Sequence, residues 1–107
     1  MTGTGCVIVL TTIGAGHDAG ELAGQLVGER LAACVNVGAE MLSVYRWKGA
    51  VESDRERQLV VKTTEAMVPA LMTRLRELHP YEVPELLVVP VVGGSDAYLA
   101  WVKESVG

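Results

Sequence analysis

The stretch from Cys34 to Thr63, CVNVGAEMLSVYRWKGAVESDRERQLVVKT, decides the fold. Its apolar residues recur at every second position, Val35 and Val37 and then Leu42 and Val44, while Met41, Ser43, Tyr45 and Trp47 fall on the opposite face. A period of two is the period of a strand. Gly38-Ala39-Glu40 breaks the alternation at a point where a bulge would let the register slip. Lys48-Gly49 signals a turn, and Val51 to Thr63 reads as a second long strand with a charged start and an apolar end. Together they make a hairpin whose arms of about a dozen residues reach some 40 Å at roughly 3.3 Å per residue. So small a domain spans less, and the overhanging edges carry unpaired backbone groups that invite pairing with another chain.

Upstream, Gly5 to Thr12 is β-branched and almost continuously apolar, as in a strand covered on both faces. Asp18 with Glu21 three places on predicts a helix cap, and Leu22, Leu26, Arg30 and Ala33 carry the helical spacing from about Ala19 to Ala33. Downstream, a second helix begins at Ala66 or Met67 with Pro69 in its first turn. Val68, Leu71, Met72, Leu75 and Leu78 form its apolar stripe, and it stops at His79-Pro80. Leu86 to Val92 is a fourth strand, placed at an edge or a bulge by Pro90. Ser95-Asp96 caps a last helix bearing Tyr98, Leu99, Trp101 and Val102. This order predicts an α+β fold, a ferredoxin-like split βαβ sandwich with a long hairpin between its second and third strands and an extra C-terminal helix. Two helices cover one face of such a sheet, so Tyr45 and Trp47 on the other face need a cover from elsewhere.

With 107 residues the chain is one domain, residues 1–107. Half of it is hydrophobic and 21% is charged, an apolar surplus that points to a buried subunit interface or to a Val- and Ala-rich core. A formal charge of −4 gives no positive field toward phosphate backbones or anionic lipid, so neither nucleic acid nor a membrane surface is the expected partner. No apolar run approaches the roughly 20 residues of a spanning helix, and the expected compartment is the cytoplasm. Cys6 and Cys34 fit no zinc spacing and are expected to be reduced there, as small buried hydrophobes.

Gly14-x-Gly16-x-x-x-Gly20 has one residue too many for a dinucleotide loop and reads as a flexible strand-to-helix turn, with His17 a solvated neighbour of the cap. His79-Pro-Tyr-Glu-Val-Pro-Glu85 is the most informative polar stretch. Two prolines stiffen a short loop that carries one imidazole and two carboxylates, a donor set that suits zinc or copper better than calcium. His79, Glu82 and Glu85 are therefore the candidate metal ligands. The same loop also reads as a helix stop, with His79 bonded to the last helical carbonyls and both glutamates in water. Lys62 either takes an anionic ligand or pairs with a glutamate, and Arg55, Glu56 and Arg57 read as a solvated strand face. No nucleophile has a base fixed beside it in sequence, so an enzyme is not expected.

Arg30-Leu-Ala-Ala-Cys34-Val-Asn36, Tyr45-Arg-Trp47-Lys-Gly49, Lys62-Thr-Thr64, His79-Pro-Tyr81, Pro84-Glu-Leu86 and Tyr98-Leu-Ala-Trp101 together resemble the CutA, or divalent-cation tolerance, family from about Val7 to Val102. The resemblance implies a ferredoxin-like protomer in a tight homotrimer, with the hairpin strands extended across subunits, and tolerance of divalent cations, copper in particular. Bacterial relatives linked to copper place a cysteine at the end of the first strand and two adjacent histidines before Pro-Tyr. This chain has Thr11 and Leu78-His79 there, so one of those three donors is kept.

Two functions follow as expectations. The first is a non-enzymatic protein that binds or responds to a divalent metal ion, copper or zinc, through His79 with Glu82 or Glu85. The second is a signal-transduction trimer, by fold-level analogy with trimeric nitrogen-regulatory proteins. It would bind a small effector or partner protein in an inter-subunit cleft lined by Trp47, Lys62, Tyr81 and Trp101.

Overall fold

The structure is a computed structural model that describes residues 3–107. Its elements run β1 (Cys6–Gly14), α1 (Ala19–Gly28), β2 (Cys34–Val37), β3 (Met41–Trp47), β4 (Ala50–Thr64), a 3-10 turn (Glu65–Met67), α2 (Val68–Leu78), β5 (Leu87–Pro90) and α3 (Asp96–Ser105). The result is a mixed α/β fold with one antiparallel sheet and three helices. The sheet runs β2-β4-β1-β5, and β3 extends the β2 side by pairing with β4.

The hairpin forms as its residues dictate. Trp47 faces Ala50 across a two-residue turn in which Lys48 and Gly49 both take positive φ, 49° and 83°. That turn matches the twist of the arms, and glycine meets its second position without strain. The interruption at Gly38 is a bulge: Val37 faces Leu59 and Met41 faces Glu56, so residues 38–40 oppose residues 57–58. The Gly38 N–H donates to Gln58 O at 2.8 Å, and a Cβ at Gly38 would stand 3.1 Å from that oxygen, so the close approach favours glycine. Arg57 clasps the bulge by donating from Nη1 to Gly38 O at 3.2 Å. The extra residue keeps Leu42 and Val44 on the face of Val35 and Val37, since all four sit opposite odd-numbered positions of β4.

Helix α1 is five residues shorter than its apolar spacing predicts. Asp18 caps it as expected, accepting from Glu21 N at 2.9 Å, but it ends at Gly28, and Arg30 turns into the left-handed region at φ 60°. Arg30 donates instead from Nε to Gly107 O and from Nη2 to Glu104 O, tying the turn after α1 to the end of α3. β5 is also shorter than predicted. It does lie at a sheet edge, where Pro90 costs no ladder bond.

The main core lies between the sheet and α1 and α2, where Val9, Leu26, Leu59, Val61, Leu71 and Leu75 are fully buried. A smaller cluster of Cys6, Ala33 and Val102 sits under α3 on the other face, and both cysteines are free thiols. Beyond the helices the hairpin is uncovered, and Leu42, Val44 and Val51 are more than half exposed. Thr11 is fully buried in the main core and its Oγ1 has no hydrogen-bond partner. Replacing the hydroxyl by a methyl removes an unpaired polar group at constant shape, so Thr11→Val is expected to stabilise the fold by about 1 kcal/mol, read as a raised thermal midpoint. A lowered midpoint would contradict the unpaired hydroxyl.

Candidate functional site

The face of the hairpin turned away from α1 and α2 builds a cleft. Paired positions share a face, so Met41, Ser43 and Tyr45 of β3 stand beside Glu56, Asp54 and Glu52 of β4, with Trp47 at the end of the row. The loop after α2 folds over the other end of that row, and β1 contributes Thr12 and Gly14. The cleft between them has a volume of about 800 Å³. Asp54, Glu56, Glu82 and Glu85 line it, facing Arg55 and His17 as its basic groups.

Two phenols organise this wall. Tyr81 Oη donates to Glu56 Oε2 at 2.6 Å, and Tyr45 Oη donates to Asp54 Oδ2. The bond to Asp54 and the nearby carboxylates push the Tyr45 phenol up to about 12. Burial, and then the bond to Glu56, raise the Tyr81 phenol well above its ordinary value. Both therefore remain proton donors at neutral pH and hold the carboxylates in place. Gly14 makes room for this: a Cβ there would stand 3.2 Å from the His17 ring and 3.4 Å from Tyr81 Oη.

His79 lies behind the cleft wall, 7% exposed, and both ring nitrogens are engaged. Nε2 meets Thr12 O at 2.7 Å and Nδ1 accepts from Tyr81 N at 3.1 Å. Those partners require a neutral ring with its proton on Nε2. The rings of His79 and Tyr81 meet edge to face at 4.7 Å. His79 thus ties the loop to β1 and orients Tyr81, and it does not bond the last helical carbonyls through its ring. Of the three residues expected as ligands, Glu82 and Glu85 line the cleft and His79 does not, and a metal at either of its nitrogens would have to displace one of its bonds. Among the described residues, no three His, Cys, Asp or Glu side chains are grouped to hold a metal ion. Glu85 Oε2 is nevertheless buried without a hydrogen-bond partner.

Within one chain the four residues expected to line an inter-subunit cleft fall into two groups. Trp47 and Tyr81 line this one. Lys62 lies twelve residues along β4 from Ala50, the partner of Trp47, and six from Glu56, the partner of Tyr81; at strand rise these are roughly 40 and 20 Å. Lys62 sits instead with α3, its Nζ 5.9 Å over the Tyr98 ring, and Trp101 packs beside Tyr98 at 5.5 Å. Glu56, read from sequence as solvated, is 7% exposed. The alternation of Glu52, Asp54 and Glu56 opposite Tyr45 and Trp47 was the one sign of an acidic row, and the loop that buries its end lies far away in sequence.

The family model described as CutA1 divalent ion tolerance protein matches residues 7–105. The chain is 45% identical over 100 residues to the divalent-cation tolerance protein CutA of Thermus thermophilus, covering 94% of this chain and 97% of the relative. It is 40% identical over 99 residues to the chloroplastic protein CutA of Arabidopsis thaliana, covering 92% of this chain and spanning 54% of that longer relative. The solved structure of the divalent cation tolerance protein from Thermus thermophilus superposes with a TM-score of 0.91 at 44% identity, over 95% of this chain and 99% of that one. Among the described residues, no helix is long and apolar enough to cross a membrane.

Proposed function

Because the chain belongs to the CutA1 divalent ion tolerance family, we propose that it is a homotrimeric, non-enzymatic protein of the cytoplasm that takes a divalent cation in the acidic cleft, with a neighbouring subunit completing the shell. The strand order β2-β4-β1-β5 with helices α1 and α2 on one face supports the ferredoxin-like reading of the protomer. The uncovered hairpin and the exposed edge of β5 support assembly.

The observation that carries the cation is Glu85 Oε2. A carboxylate oxygen withdrawn from water without a donor is costly, and a cation attracted to it by the carboxylates of the cleft, with further ligands from a neighbouring subunit, would offset that cost. These are oxygen donors, which favour manganese or magnesium, while His17 is the imidazole in the wall that would turn the site toward zinc or copper. Calorimetry on the native oligomer with manganese, zinc and copper is the test. Glu85→Gln is expected to weaken the preferred ion by roughly tenfold or more. Equal affinities for the variant and the native chain would remove this site.

A second reading rests on size. About 800 Å³ is far larger than a bare ion and is walled by Tyr45, Trp47 and Tyr81, as suits a small organic effector of a signal-transduction module. Native mass spectra that retain a small molecule, lost in Trp47→Ala, would favour it over the ion.

A further inference from the structure

A second concavity, of about 160 Å³, lies under α3 on the sheet face opposite α1 and α2. Its wall is apolar, built from Cys6, Ile8, Val91, Leu99 and Val102, and Lys62 is its one charged side chain among the described residues. Within the sheet Lys62 stands between Ile8 on β1 and Cys34 on β2, so neither neighbour supplies a counter-charge. The described ion pairs belong to Arg74 with Glu29 and Glu77, and none reaches Lys62. Lys62 is a half-buried residue, and its ammonium stands over the Tyr98 ring face. A ring face repays only part of what an ammonium loses on leaving water.

We propose that this pocket binds a small organic monoanion, a carboxylate carried on a compact apolar body. Size sets the body, since an apolar cavity of about 150 Å³ accommodates one benzene ring. Charge sets the head group, since Lys62 can make a charge-assisted hydrogen bond to a carboxylate while the apolar wall takes the ring or branched chain. Inorganic phosphate would satisfy the ammonium and leave the wall unfilled. A neutral amide of the same shape would fill the wall and leave the ammonium uncompensated. The site is separate from the acidic cleft, whose carboxylates would repel such a ligand.

The test uses the native oligomer, titrated with benzoate, benzamide and phosphate and followed by calorimetry and by chemical shifts of residues around Tyr98. Benzoate is expected to saturate the pocket, with benzamide and phosphate roughly tenfold weaker or more. Lys62→Met, which keeps the stem over Tyr98, is expected to lower benzoate affinity about tenfold and leave benzamide unchanged. Lys62→Arg should retain the preference for benzoate. Equal binding of benzoate and benzamide overturns the proposal, as does an absence of saturable binding at millimolar benzoate. A change of oligomer mass in Lys62→Met also overturns it, because the ammonium would then belong to a contact between copies. Should Lys62→Met fail to fold, the three ligands on the native chain decide the matter alone.

Discussion

His79→Ala is expected to cost about 2–4 kcal/mol of unfolding free energy and to lower the thermal midpoint by roughly 10 °C or more. The imidazole is buried and fills the joint between β1 and the loop after α2. Truncation leaves a void and also strands two backbone groups, Thr12 O and Tyr81 N, which now meet the ring at 2.7 and 3.1 Å. An orphaned buried group costs its full desolvation, so the loss exceeds that of two ordinary hydrogen bonds. His79→Gln, which can keep one of the two partners, should recover part of the deficit. Denaturant and thermal unfolding at fixed protein concentration measure this, since dissociation of an oligomer would otherwise shift the midpoint. A cost below about 1 kcal/mol would mean that the ring is not the joint described.

Val88→Lys is expected to dissociate the proposed homotrimer while leaving the single chain folded. β5 pairs with β1 on one side, and its other edge is open. Leu87, Val88 and Val89 are exposed by 55%, 41% and 41%, on both faces of the strand. An apolar edge of this kind is the form that natural proteins avoid unless something pairs with it, and a lysine is the usual deterrent. In the isolated chain the substitution falls on an accessible position and should change stability by no more than about 0.5 kcal/mol. Buried at a subunit seam, an unpaired ammonium costs roughly 3–5 kcal/mol, about a hundredfold to several thousandfold in association. Light scattering should therefore find the mass fall to that of one chain, with the circular dichroism of the fold retained. An unchanged mass would show that β5 is not the seam.

Local chemistry was legible along most of the chain. The bulge at Gly38, the turn at Lys48-Gly49, the cap at Asp18, the stop before Pro80 and the edge position of Pro90 each follow from short-range sterics and hydrogen bonding. The end of α1 was one exception. Leu22, Leu26, Arg30 and Ala33 keep helical spacing past Gly28, yet Ala33 N pairs with Lys62 O of β4 and Arg30 reaches α3, so tertiary partners outbid the local period.

Periodicity, capping residues and turn chemistry thus determine which elements form, in what order, and which faces of the hairpin are apolar, because each depends on neighbours a few residues apart. The use of His79 as a joint, the burial of Glu56 beneath Tyr81, and the separation of Lys62 from Trp47 were settled by packing alone. Each depends on sheet register and on the path of a loop, which set distances between residues 25 to 67 places apart for the bonded pairs. Nothing within a strand's own period encodes those distances. Within one chain the result is an acidic, phenol-braced cleft with His79 behind its wall, and a second pocket of opposite charge at the far end of the same strand.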